Sequence, residues 1–277
     1  MASVRQLLAD ASDLPGDSAR LDAELLLCHC LGKPRSYVYA WPEADVEEVP
    51  SQQYRKLVQA RREGRPLAHL TGQREFWSLD LEVNEHTLIP RPDTETLVQW
   101  ALDLSLPEDS LVLDAGTGSG AIALALASER VQWQVLASDT SGPALRIAAR
   151  NRQQLGLGNV TFLQAHWLSA LGAVDFDLVV SNPPYIPIGD KHLECGDLRF
   201  EPPRALQSGV DGLDALREII QQAPAILRTR GWLLLEHGFD QADAVQALLR
   251  DAGFGAVSSR LDLGGHRRVS GGQYNAE

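Results

Sequence analysis

From about residue 94 onward, short apolar runs bounded by turn residues alternate with longer stretches whose apolar residues recur three or four apart. This switching period predicts helix 94–104, strand 110–114, helix 119–129, strand 133–138, helix 143–155, strands 160–164 and 176–181, helix 212–229, strand 232–236 and helix 241–252. A β-rich tail over 256–273 follows. Strands separated by helices must cross over between neighbours, which implies an α/β fold with a doubly wound, mostly parallel sheet covered on both faces. Ligands in such sheets bind beyond the carboxyl ends of the strands, so chemistry-bearing residues are expected just after each strand.

Before residue 73 the pattern is different. Asp17 and Ser18 stand where they can cap a helix with Leu21, Leu25, Cys28 and Leu31 on its apolar face, Gly32 at its stop and Pro34 beyond. A second helix is predicted from about Ser51 through Tyr54, Leu57 and Val58 to Gly64. Arg55, Lys56, Arg61, Arg62 and Arg65 decorate it, either as a solvated face or as a docking surface for an acidic or RNA-containing partner. Phe76–Trp77 and then Leu79, Leu81 and Val83 alternate at period two, as a hairpin would. The division expected is therefore a small all-α domain over 1–72, a β-hairpin linker over 73–90 and a catalytic domain over 91–277.

A length of 277 residues allows one to two domains. Hydrophobic residues at 44% and charged residues at 22% exclude disordered and fibrous classes. The absence of a long apolar run, of a signal-like start and of paired cysteines points to a soluble chain in a reducing cytoplasm. Net charge is −12, and residues 1–72 hold 9 basic and 10 acidic residues, so nearly all the acidity lies beyond them. That disfavours naked nucleic acid as a partner of the larger segment.

Four turns carry the functional signal. Asp114-Ala115-Gly116-Thr117-Gly118-Ser119-Gly120 ends the first strand and opens a helix, and its glycines permit a tight turn and close approach of a ligand. Asp139 ends the second strand, where a carboxylate can accept both ribose hydroxyls of an adenosine, so NAD and S-adenosylmethionine both fit at this point. Trp167 follows the third strand and can flank adenine. After the fourth comes Asn182-Pro183-Pro184-Tyr185. The Asn oxygen and the Pro183 carbonyl can each accept an N–H of a planar NH2 group, and Tyr185 can pack beside it. Methylation of a conjugated nitrogen needs this arrangement; hydride transfer does not.

These turns resemble class I S-adenosylmethionine-dependent methyltransferases acting on planar nitrogen, with their Rossmann-like sheet. More narrowly, Leu67–Gly72, Arg74–Trp77, Ile89–Glu95, Phe200–Pro202 and Leu235–Gly238 resemble the release-factor glutamine methyltransferases, the HemK/PrmC family. The resemblance runs over nearly the whole chain. It implies methyl transfer to the side-chain amide nitrogen of the glutamine in the Gly-Gly-Gln loop of peptide-chain release factors, by a monomer, without metal or direct nucleic acid contact. It also implies that Asp114, Gly116, Thr117, Gly118, Ser119, Gly120, Asp139, Trp167 and Asn182 hold the cofactor, while Asn182, Pro183, Pro184 and Tyr185 hold the acceptor. Asp114 would order the glycine loop or reach the cofactor's amino group, and Arg91 would help close the pocket. An adenine-N6 methyltransferase is the rival, since it would use the same Asn-Pro-Pro-Tyr logic.

Other features read as structural. Cys28, His29 and Cys30 have poor spacing for zinc, and Cys195 stands without an evident base. Gly271-Gly272-Gln273 repeats the family's target motif and reads as coincidence at the end of a last strand. Glu236 is either catalytic or a strand-end carboxylate fixing loops, and Asp197, Arg199 and Glu201 lie in a loop suited to covering the acceptor pocket.

Overall fold

The computed structural model describes every residue except 1, 17, 173, 195, 276 and 277. Asp17 and Cys195 therefore lie outside the described residues. The chain forms two compact units, Met1–Gln73 with Cys195–Phe200, and Arg74–Glu194 with Glu201–Glu277. The return of a short later stretch to the first unit is not visible in the order of the chain. No described helix is long and apolar enough to cross a membrane.

The small unit holds α1 (Val4–Ala9), α2 (Ala19–Leu31), α3 (Arg35–Ala40), α4 (Glu48–Arg62) and α5 (Leu67–Thr71), with a two-residue pairing of β1 (Ala2–Ser3) and β2 (Asp45–Val46). Helix α2 ends at Gly32 in the left-handed conformation, at the expected stop. Its core face differs from the sequence expectation. Ala23, Leu26 and Leu27 are buried, whereas Leu21 is exposed and Ser18 makes no side-chain cap bond. Cys28 is in the core and Leu31 packs against it, so the expected stripe is borne out in part; the helix is apolar on more than one side, and periodicity alone does not resolve the rest. Tyr54 and Val58 of α4 join that core.

In the large unit, β3 (Gln73–Phe76) and β4 (Leu79–Glu82) form the hairpin. Its two turn residues, Trp77 and Ser78, both take positive φ, a conformation usually left to Asn-Gly. Trp77 compensates by donating from its backbone to Glu95 and from its indole to Glu129. The remaining elements are α6 (Glu95–Asp103), β5 (Leu111–Ala115), α7 (Ala121–Glu129), β6 (Gln134–Asp139), α8 (Gly142–Leu155), β7 (Val160–Gln164), β8 (Phe176–Ser181), α9 (Asp214–Gln222), β9 (Leu227–Glu236), α10 (Ala242–Asp251), β10 (Phe254–Leu261) and β11 (Arg267–Tyr274).

The seven strands stand in the order β10-β11-β9-β8-β5-β6-β7. Strands β9, β8, β5, β6 and β7 run parallel, and β11 and β10 add antiparallel. Alternation within each strand feeds two cores. Val112, Leu178, Val180 and Leu234 pack on one face with α6 and α7, and Leu113, Val179, Leu233 and Leu235 pack on the other with α9 and α10. Both sides are covered, as a doubly wound sheet requires.

Helix 212–229 is shorter than its sequence pattern suggests. Helix α9 stops at Gln222, a tight turn over Ala223–Ala225 follows, and β9 starts at Leu227. Pro224 lacks the N–H that a continuing helix needs, and the early strand residues Arg228, Thr229 and Arg230 are exposed and polar, which hid the strand from an apolar-run criterion.

Candidate active site

The ends of β5, β6, β7 and β8 lie side by side, so the four turns marked in the sequence converge on one cleft of about 240 Å³. Gly116, Thr117, Gly118 and Ser119 form one wall, Asp139 and Ser141 the next, Trp167 a third, and Asn182 with Pro184 a fourth. His86, Thr87, Leu88, Pro90 and Thr94 close one rim, and Pro202, Arg204 and Ala205 the other.

The glycine loop is held from beneath. Asp114 is fully buried, and its Oδ2 accepts from Thr117 Oγ1 at 2.6 Å and from Ala123 N at 3.1 Å. Ordering this loop is thus a role of Asp114 that the contacts show directly. Burial pushes its carboxyl up to about 7, and the bonds from Thr117 and Ala123 oppose that rise. Asp114 Oδ1 is buried with no hydrogen-bond partner among the described residues. Gly116 takes φ 80°, and a Cβ there would stand 2.9 Å from the Trp167 ring. Only glycine lets the indole lie over the loop.

Asp139 accepts from the backbone on both sides of the cleft wall it forms. Its Oδ2 accepts from Gly118 N at 2.9 Å and its Oδ1 from Ser141 N at 2.8 Å. Each oxygen has further acceptor capacity beyond these bonds. Ser141 itself caps α8, accepting from Ala144 N, and receives Arg204 Nη2 at 2.6 Å.

At the fourth turn, Asn182 Nδ2 donates to Thr94 Oγ1 at 3.2 Å. Pro183 is buried behind the cleft-lining pair Asn182 and Pro184. Tyr185 is not among the cleft-lining residues. Its hydroxyl donates to Glu236 Oε1 at 3.3 Å, and its carbonyl accepts from Gln241 Nε2 at 3.0 Å. Glu236 is buried, and desolvation raises its carboxyl to about 7 despite the nearby Thr94 and Tyr185 hydroxyls and Arg268.

Sequence reasoning passed over several residues that build this cleft. Asn151 of α8 donates to Ser119 O and to Glu82 O and accepts from Glu82 N, tying the glycine loop to the hairpin. A buried Asn inside a helix is the signal that was available. Glu201 pairs with Arg91 and accepts from Ile89 N at 2.9 Å, so two of the family-like segments are bolted together at the rim. By contrast Arg61 is committed to Asp22 and Asp197, and Arg199 to the Glu63 carbonyl, within the small unit. Of the loop expected to cover the acceptor, Glu201 joins the rim segment.

The tail motif has a packing explanation. Gly271 and Gly272 lie in the interior strand β11, where a Cβ would meet Leu234 Cδ2 at 2.4 Å and Phe254 Cβ at 2.9 Å, and Gln273 Nε2 donates to Arg230 O. His237 is buried between the Gly238 carbonyl and the Ser270 hydroxyl.

Residues 107–254 match a family model described as a methyltransferase domain. A crystal structure of a methyltransferase from Pyrococcus furiosus, 17% identical, superposes with a TM-score of 0.54 over 72% of this chain and 90% of that one, a likeness of fold alone. The sheet order, the glycine loop and the strand-end carboxylate define the class: an S-adenosylmethionine-dependent methyltransferase. Residues 1–72 match the model described as the PrmC N-terminal domain. The release factor glutamine methyltransferase of Pseudomonas aeruginosa is 51% identical over 274 residues, 99% of each chain, and that of Vibrio cholerae is 47% identical over 277 residues, 100% of this chain and 96% of its own. The chain belongs to the release factor glutamine methyltransferase family.

Proposed function

We propose that this chain transfers a methyl group from S-adenosylmethionine to the side-chain amide nitrogen, N5, of the glutamine in the Gly-Gly-Gln loop of peptide-chain release factors. The observation that carries the reading is Asn182 at the cleft wall, its NH2 engaged by Thr94 and its oxygen left as an acceptor, within a run of two prolines. When bound, the cofactor supplies a methyl group made electrophilic by its sulfonium. Gly116, Thr117, Gly118, Ser119 and Gly120 admit its methionine part, with the unpartnered Asp114 Oδ1 below them. Asp139 accepts from the ribose and Trp167 flanks the adenine.

An amide nitrogen is a poor nucleophile because its lone pair is delocalised into the carbonyl. Asn182 Oδ1 and the Pro183 carbonyl each accept one N–H of the target, which fixes the nitrogen and aims its lone pair at the methyl. Tyr185 does not line the cleft, and its hydroxyl is anchored on Glu236. Catalysis is in-line positioning together with stabilisation of the charge that grows on nitrogen. The proton leaves after transfer, so no strong base is required.

Incubation with labelled S-adenosylmethionine and a release factor, DNA or ribosomal RNA tests the substrate. Label on the Gly-Gly-Gln glutamine alone is expected; label on adenine sinks the reading in favour of the rival. The protein acts as a monomer in the cytoplasm and without direct nucleic acid contact. Residues 1–72 dock the release factor, and the exposed Arg55 and Lys56 of α4 are the residues suited to its acidic surface, since Arg62 is spent on Asp13. Reversing both charges is expected to raise KM for the release factor while leaving cofactor affinity intact, and an unchanged KM removes α4 from the docking surface.

Asp139→Ala is expected to weaken cofactor binding by about 1.5–3 kcal/mol, the loss of a charged acceptor in a semi-enclosed site. Calorimetric titration measures it, and wild-type affinity in the variant would take Asp139 out of the site.

A further inference from the structure

Thr94 occupies the N-cap position of α6, where a threonine hydroxyl ordinarily accepts from a backbone N–H of the first helical turn. It makes no such bond. The residue is 4% exposed, it lines the cleft, and its Oγ1 accepts instead from Asn182 Nδ2, 88 positions away in the chain. A hydroxyl has one proton to give. The Glu236 carboxyl is near enough for the Thr94 hydroxyl to hold its pKa down; it is 1% exposed and takes the Tyr185 hydroxyl on Oε1, while Oε2 is buried with no hydrogen-bond partner among the described residues. A hydroxyl whose proton leans toward a carboxyl has only lone pairs to offer on its other side.

The two ends of an asparagine amide are nearly identical in shape, so packing alone does not choose between them. Turned one way, Asn182 offers the cleft an oxygen that accepts from the target NH2. Turned the other way, it offers an NH2 to an NH2, and no bond forms. We infer that Thr94 is a positioning residue, whose hydroxyl, polarised by the Glu236 carboxyl, selects the productive orientation of the Asn182 amide. The inference rests on the reading of Asn182 as the acceptor of the target N–H. It gives Glu236 a role that neither of the sequence alternatives contained: the carboxyl acts on the reaction through two intervening side chains.

Thr94→Val keeps the shape and removes the hydroxyl, whereas Thr94→Ser keeps the hydroxyl. Single-turnover methyl transfer to a Gly-Gly-Gln-containing release factor is measured for both variants, for Asn182→Ala, and for Thr94→Val combined with Asn182→Ala. Calorimetry supplies the cofactor affinity of each. Thr94→Val is expected to slow transfer roughly tenfold to a hundredfold, the scale of a misaligned reacting group. Cofactor affinity should stay within about threefold, and Thr94→Ser should restore most of the rate. In the Asn182→Ala background the valine should cost nothing further, because the group it orients is gone. A full rate in Thr94→Val overturns the inference while leaving Asn182 in place. So does an undiminished loss in the Asn182→Ala background, which would mean that Thr94 acts on packing. Normal transfer by Asn182→Ala alone would remove the underlying reading and the inference with it.

Discussion

Asn182→Ala is expected to lower the rate of methyl transfer by roughly 10² to 10³, the loss seen when one preorganised hydrogen-bonding group is removed from an active site. The side chain contributes through its oxygen, because its NH2 is engaged by Thr94. Deleting it leaves the target nitrogen with the Pro183 carbonyl alone, so the nitrogen can rotate and its lone pair loses its line to the methyl. Cofactor affinity should change much less, since the glycine loop, Asp139 and Trp167 form walls of the cleft that do not depend on Asn182. Asn182→Asp is informative in another way. It keeps the acceptor and removes the NH2 that Thr94 receives, and it puts a negative charge near the bound sulfonium. Cofactor binding should then hold or tighten while transfer falls. The readout is a mass increase of one methyl on the Gly-Gly-Gln glutamine in a single turnover. Near-normal transfer by Asn182→Ala would remove the residue from the mechanism, and a methyl on another residue would refute the substrate.

What is legible in the sequence follows from how local each feature is. The parallel sheet was legible because its strands are short, apolar and separated by helical periods; β7 and β8 start and end where the pattern put them. The four turns were legible because topology alone brings the ends of β5, β6, β7 and β8 to one edge. Their joint meaning was chemical, since a glycine loop, a strand-end Asp and an Asn-Pro-Pro-Tyr run make sense together only around an adenosine and a planar nitrogen.

The rest depended on contacts between distant residues. Thr94 read as a helix start, and nothing within a few residues of it indicates that it reaches Asn182. Asn151, which ties Ser119 to Glu82, lies within α8, and Gln241, which holds the Tyr185 carbonyl, is the N-cap of α10; the sequence patterns of both helices are otherwise ordinary. The hydroxyl of Tyr185 donates to Glu236, a partner 51 residues on that chain order does not show. The core face of α2 is only partly legible for a related reason: a segment apolar on several sides carries no period from which to choose.

The unliganded protein is expected to lose stability as pH rises from about 5.5 to 7, through two buried carboxyls. Asp114 and Glu236 are pushed up to about 7 from ordinary values of 3.8 and 4.5, in both cases chiefly by burial. Well below those ordinary values both groups hold their protons whether the chain is folded or not, and their contribution is fully present. Between those ordinary values and 7 the folded chain keeps protons that the unfolded chain has released, so each rise in pH favours unfolding. Above 7 the groups are charged in both states and the contribution is gone. Over 1.5 pH units the loss is about 2 kcal/mol for each group. His237 works in the opposite direction, because burial lowers its pKa and the unfolded chain takes up the proton below 6.5. Surface carboxylates such as Asp211, held at about 2 by Arg217, change only at lower pH. The two carboxyls are therefore isolated by difference. Asp114→Asn and Glu236→Gln place near-isosteric neutral groups at the same sites, and each should flatten the dependence by its own share. Urea unfolding of wild type and both variants at pH 5.5 and 7 measures it. A wild-type curve that falls no more steeply than those of the variants would show that both carboxyls are ionised in the folded chain across this range.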